Sequence, residues 1–143
     1  MSHFTTIATK LYNQEQLLKA LGDLGIDSVE SKSTSKDNEN TLTARGYQGD
    51  TFQNGVDIVI RQPNDYDIAF SWNGETYELV ADLQFWQQSM PVSAWMEKVQ
   101  QRYALHNLVD TASQDGFVVE QVKESATDGS ITMSMSRYNA AGM

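Results

Sequence analysis

The segment from Tyr66 to Leu83 leaves this chain few ways to fold. Tyr66, Ile68, Phe70 and Trp72 alternate with Asp67, Ala69 and Ser71. After Asn73-Gly74, the residues Tyr77, Leu79, Ala81 and Leu83 alternate with Glu78, Val80 and Asp82. Period-two alternation reads as a pair of strands. Asn-Gly between them reads as a hairpin, because a type I′ turn needs positive φ at both central residues. A loop at 73–74 sets Trp72 opposite Glu75, Phe70 opposite Tyr77, Ile68 opposite Leu79 and Tyr66 opposite Ala81. Cross-strand partners share a face, so the large apolar side chains gather on one side of the sheet. Val56, Ile58 and Ile60 extend that face if residues 61–65 form the next connection.

The rest of the chain supplies what covers this sheet. Phe4, Ile7 and Tyr12 among threonines suit a first strand near 3–11. Asn13 is placed to cap a helix over 14–24, with Gln16 completing a capping box and Gly25 ending it. Leu17, Leu18, Leu21 and Leu24 recur at helical spacing. Strands near 27–32 and 41–47 flank the polar stretch 31–40, read as a mobile solvated loop. Gln48 to Gly55 is a second polar connection. A second helix starts near Pro91 and ends near Asp115-Gly116. Val92, Trp95, Met96, Val99, Tyr103 and His106 form one stripe, with Leu105, Leu108 and Ala112 on the other side. Such a helix sits between two layers or offers one face to a partner. Strands near 117–123 and 130–138 flank the turn Thr127-Asp128-Gly129-Ser130, and the tail 139–143 is expected to fray. The result is one α+β domain over 1–143: a largely antiparallel sheet with two helices on one face, and a β-α-β-β order that repeats as a pseudo-repeat.

Composition narrows the chemistry. Without cysteine there is no thiol nucleophile, Cys-based zinc site or disulfide framework. A formal net charge of -9 argues against nucleic acid and anionic membranes, which need clustered Lys and Arg. No apolar head resembles a secretory signal, and no run approaches the ~20 apolar residues of a membrane span. A cytoplasmic setting is expected.

Besides Leu105 and Leu108 on the second helix, the candidate site residues fall into four groups. Asp65, Asp67 and Asp82 gather at one end of the sheet's second face. Three carboxylates there could hold a hard cation or supply an acid–base pair, but a solvated acidic face is the expected reading. Gln84, Trp86 and Gln87 combine aromatic bulk with amide handles at a strand end, suiting either a pocket rim or a sheet-edge cap. Arg102 and His106 are helical neighbours. With Asp82 they could form an anion clamp and a general base, whereas the plainer reading pairs Arg102 with a carboxylate such as Asp82 and leaves His106 at the core edge. Arg61 is expected to salt-bridge Asp65 or Asp67. Arg45 and Tyr47, in Arg45-Gly46-Tyr47-Gln48-Gly49, lack the Lys-Ser/Thr of a phosphate loop, so a bent strand end is expected.

Several blocks together resemble a known family. They are Met1-Ser2-His3-Phe4, Arg45-Gly46-Tyr47-Gln48-Gly49, Asp57-Ile58-Val59-Ile60-Arg61, Tyr66-Asp67-Ile68, Tyr77 to Gln87, and Gln101-Arg102-Tyr103-Ala104. In this order, over nearly the whole chain, they resemble the hypothetical chloroplast reading-frame thirty-five family of cyanobacteria, algal plastids and related bacteria. The resemblance implies a photosynthetic lineage or a virus infecting one (a cyanophage), and a cytoplasmic or stromal setting. It implies an adaptor role beside an AAA-type ATPase, and it supplies no catalytic residues.

The expectation is therefore a non-enzymatic protein-binding or adaptor domain without a cofactor. Its contacts would come from Trp86, Gln84 and Gln87 at one edge, Leu105 and Leu108 on the second helix, and Arg45 and Tyr47. The competing expectation is a small-ligand or divalent-metal-dependent enzyme using Asp82, Arg102 and His106.

Overall fold

The computed structural model describes residues 3–31, 42–46, 51–52 and 55–137. The elements in order are strand β1 (Phe4–Ala8), helix α1 (Gln14–Asp23), strands β2 (Val29–Ser31), β3 (Ile58–Ile60), β4 (Ile68–Trp72) and β5 (Tyr77–Asp82), a short 3-10 turn (Leu83–Phe85), helix α2 (Val92–Gln114), and strands β6 (Phe117–Glu124) and β7 (Ile131–Arg137). Five antiparallel strands make one sheet in the order β1-β5-β4-β3-β2. Strands β6 and β7 pair with each other in a separate ribbon. The architecture is α+β, as expected. Tyr47, the loop beyond Ser31 and the tail 139–143 lie outside the described residues.

The central hairpin forms, but its register is two residues away from the expected one. Phe70 faces Leu79, Ser71 faces Glu78 and Trp72 faces Tyr77. The Asn73 N–H donates to the Thr76 carbonyl at 3.0 Å, which leaves Gly74-Glu75 as the two-residue loop. Gly74 has φ 107° and Asn73 does not have positive φ, the pattern of a type II′ turn with glycine first. The Asn73 side chain acts as an acceptor instead: its Oδ1 receives the N–H groups of Glu75 and Thr76, each at 2.9 Å. Moving the loop by one residue slides the register by two, which is the strand period, so every side chain keeps its face. Phe70 and Tyr77 remain together in the core.

Both helices cover that face. Leu17, Ala20 and Leu21 of α1 and Trp95, Met96, Val99 and Tyr103 of α2 pack on Ile58, Ile60, Ile68, Phe70, Leu79 and Ala81. The Trp95 ring lies nearly parallel to Phe70, 6.3 Å between centroids. Asn13 caps α1 by accepting from the N–H groups of Glu15 and Gln16. The reciprocal half of the capping box is not made. The Asn13 N–H donates to the Tyr103 hydroxyl at 3.0 Å, joined there by the Tyr12 N–H at 3.2 Å. Gln16 is buried, and its Oε1 has no hydrogen-bond partner among the described residues. A side chain of α2 thus does what a local glutamine was expected to do, and so ties the two helices together.

The opposite face is not solvated. Val59, Ala69 and Val80 are fully buried beneath Ala44 and Val56, with Phe4, Leu42 and Phe52 at the margin. The expected strand at 41–47 is absent from its described part, residues 42–46. Those residues cross the sheet as a cover, held by one bridge between Arg45 and Thr51 and by N–H groups of Phe52 and Val56 donating to Ala44 and Leu42 carbonyls. Val56 joins this cover instead of extending the helix-side face. The backbone bends at Asp57, whose N–H donates to the Phe70 carbonyl and whose Oδ2 accepts from the Trp72 N–H at 2.6 Å.

The β-α-β-β order does recur, as β1-α1-β2-β3 and β5-α2-β6-β7, but the second pair of strands does not enter the sheet. A bulge between Val119 and Gln121 explains their broken apolar alternation. It lets Val119 oppose Met135 and Val122 oppose Met133 on one face. Among the described residues, no helix is long and apolar enough to cross a membrane.

Candidate functional site

The three aspartates of the second face do not assemble into one cluster. Asp67 is 1% exposed and lies between two guanidinium groups. Arg45 reaches it through Nη2 at 3.0 Å and Nε at 3.1 Å, and Arg61 through Nη1 at 2.5 Å. The Arg45 backbone N–H adds a bond at 2.7 Å. Arg61 also binds Glu30 and the Thr43 carbonyl, and Arg45 binds Asp65. Hydrogen bonding to Asp67 raises the Arg45 pKa above its ordinary value. These charge-assisted bonds occupy the forks of both arginines, so the group pins the 42–46 cover onto the sheet. Asp82 accepts from the N–H groups of Gln84 and His3. Among the described residues, no three His, Asp or Glu side chains are grouped to hold a metal ion.

The Gln84–Gln87 segment is anchored inward. Trp86 packs edge-on against Trp95, 5.1 Å between centroids, and its indole N–H donates to the Met90 carbonyl at 2.8 Å. Pairing the indole N–H in this way is what burial of a tryptophan requires. The residue organising this corner is Gln62, which is buried. Its Nε2 donates to the carbonyls of Tyr66 and Phe85, and its Oε1 accepts from the Gln87 N–H and the Gln88 amide. Tyr66 stacks on Phe85 at 3.9 Å beside it. Sequence reasoning passed over Gln62, since one glutamine in a polar connection carries no periodic signal. Gln84 and Gln87 remain exposed.

Asp82, Arg102 and His106 are not brought together. Asp82 projects from β5 on the side of Val80, away from the helices, since Leu79 and Ala81 take the helix-side face. Arg102 pairs with Glu124 at 2.5 Å, not with Asp82. His106 Nε2 lies 2.5 Å from Asp23 Oδ2 of α1. The two helix residues therefore tie α2 to different neighbours.

The remaining candidates, Leu105 and Leu108, line an open groove. It lies between α2 and the ribbon, encloses about 460 Å³, and is walled by Gln101, Ala104, Leu105, Leu108, Ser130, Ile131, Met133 and Met135. Leu108 is 48% exposed and Met135 38%. None of these lining side chains is charged. Glu124, on the same ribbon face, holds Lys98 and Arg102 and so sets the spacing between helix and ribbon. The volume is within the range of ligand-sized clefts, and the wall chemistry is that of an interface centre.

Comparison with known proteins gives a consistent picture. A family described as "Protein of unknown function (DUF1257)" matches residues 20–134. A Guillardia theta protein named "Uncharacterized protein ycf35" is 43% identical over 141 residues, covering 96% of this chain and 98% of its own. Proteins of the same name from Pyropia yezoensis and Cyanophora paradoxa are 36% and 33% identical, each covering at least 96% of this chain and 98% of its own. No solved structure matches.

Proposed function

The chain belongs to the DUF1257 family and is similar over nearly its whole length to the ycf35 proteins, and from that premise we propose that it is a non-enzymatic binding domain whose groove between α2 and the ribbon receives an apolar segment of a partner protein. The observation that carries this reading is Leu108. It is a large apolar side chain, half exposed, at the mouth of an uncharged groove whose other wall is Met133 and Met135. Methionines adapt to a partner's shape, and an amphipathic helix inserting two or three apolar side chains fits such a cleft. Trp86, Gln84 and Gln87 belong to the Gln62 corner, where of the three only Gln84 and Gln87 are exposed. The reading keeps the cytoplasmic or stromal setting that the family resemblance implies.

The test is capture of a partner from native extract by the wild type and by Leu108→Asp, with an unfolding curve for each. A binding role predicts that Leu108→Asp loses the partner and shifts stability by no more than about 0.5 kcal/mol, as exposed substitutions do. A loss of several kcal/mol would instead make Leu108 a core residue and end the proposal.

A further inference from the structure

Strand β7 has β6 on one side and, among the described residues, no strand on the other. Its sequence, Ile131-Thr132-Met133-Ser134-Met135-Ser136-Arg137, carries no charge before its last residue. Sheet edges are usually blunted with charges or proline because an open edge is a template for strand pairing. This edge has neither over six residues, in a chain whose net charge is -9. The strand is also nearly symmetric about Ser134. A two-fold axis through that residue sets Ser134 against itself, Met133 against Met135, and Thr132 against Ser136. Self-complementarity of one patch is the condition for an isologous dimer.

We propose that β7 is a dimer seam, pairing antiparallel with the β7 of a second copy of this chain about Ser134. The two ribbons then form one four-stranded sheet, and a two-stranded ribbon gains the neighbours that its stability otherwise lacks. Methionines meet methionines on the groove side, and hydroxyls meet hydroxyls on the other. A second copy is the occupant that fits. The uncharged edge is where two copies of an acidic chain can approach without opposing carboxylates. The seam shares Met133 and Met135 with the groove wall, but it rests on the backbone edge of β7 and not on Leu105 or Leu108.

The chain's lack of cysteine makes the test direct. Light scattering of the wild type is expected to give twice the 16.0 kDa of one chain. Ser134→Cys should form an intermolecular disulfide on mild oxidation, because directly opposed residues lie about 5 Å apart between Cα atoms, within disulfide range. Thr132→Cys alone should not link, since its own copy sits four residues away along the strand, about 14 Å. Ser134→Lys places two ammonium groups on the axis and should give the single-chain mass while still unfolding in one cooperative transition, because Ser134 is exposed and its replacement leaves the core intact. A wild type of single-chain mass at its highest soluble concentration overturns the proposal. So does a dimer that survives Ser134→Lys, or one that Ser134→Cys links no better than Thr132→Cys. Partner capture by Ser134→Lys, whose groove is intact, reports on the proposed function separately.

Discussion

The main sheet and the ribbon are built from the same antiparallel pairing and differ in what covers them. Strand β4 has Phe70 sealed under α2 on one face and Ala69 sealed under the 42–46 cover on the other. Strand β7 has one face partly screened by α2 and the other in solvent, and most of its residues are exposed. Backbone pairing therefore does not decide which region is rigid. Apolar area removed from water does, at about 25 cal/mol per Å². The sheet is where the fold is held, and the ribbon is where surface is left to meet something else.

Substitutions should expose this contrast. Phe70→Ala is expected to cost about 3–5 kcal/mol in urea unfolding, the cost of emptying a closed aromatic site. Met135→Ala in the ribbon should change stability by less than about 0.5 kcal/mol. Equal losses at the two sites would mean that the ribbon is as deeply packed as the sheet. Next in size is Asp67→Ala. It leaves Arg45 and Arg61 facing each other without the carboxylate between them and releases the cover over Val59, Ala69 and Val80. A loss of about 3 kcal/mol is expected, the low end for breaking a buried pair because both guanidiniums reach solvent. An effect below about 1 kcal/mol would show that apolar contact alone holds the cover.

The smallest effects are those of pH, and they divide the two regions by sign. Burial first, then the charge of Asp57, raises the Tyr77 pKa above 10.0. The folded state favours the neutral phenol, so its contribution is complete below pH 10 and is lost as pH rises through the raised value. In the ribbon turn, the Ser130 N–H leads the hydrogen bonds that lower the Asp128 pKa below 3.8. Its contribution is present above that pH and is lost as pH falls through the lowered value. Alkali should therefore loosen the sheet and acid the ribbon turn. Residue-resolved NMR titration checks both, and an Asp128 carboxyl that titrates at or above its ordinary 3.8 would break the second half of the comparison.

Much of the fold was legible because its signals are local. The α2 boundaries, the Asn13 cap and the turn at Asp128-Gly129 each depend on residues within a few positions of one another. The hairpin shows both the reach and the limit of such reading. Alternation fixed the faces, while the exact turn residues, and so the register, depended on whether Asn73 supplied a conformation or an acceptor. The candidate site was legible only where exposure follows helical spacing, at Leu105 and Leu108. The grouping of Asp82, Arg102 and His106 was suggested by residue type, and residue type says nothing about which side of a sheet a side chain leaves.

Three features were decided only by tertiary structure. They are the cover over the second face, the Tyr103 hydroxyl that takes two N–H groups some ninety positions upstream, and the meeting of Gln62 with Gln87 and Gln88. Each satisfies buried polar or apolar groups with partners far away in the chain, and nothing in a polar stretch records which distant group it will meet. Period and turn chemistry act over a few bonds, so the amino-acid order carries them openly. Burial and its compensation are settled only when remote segments close on each other, since an unsatisfied group in the interior costs more than almost any local preference supplies.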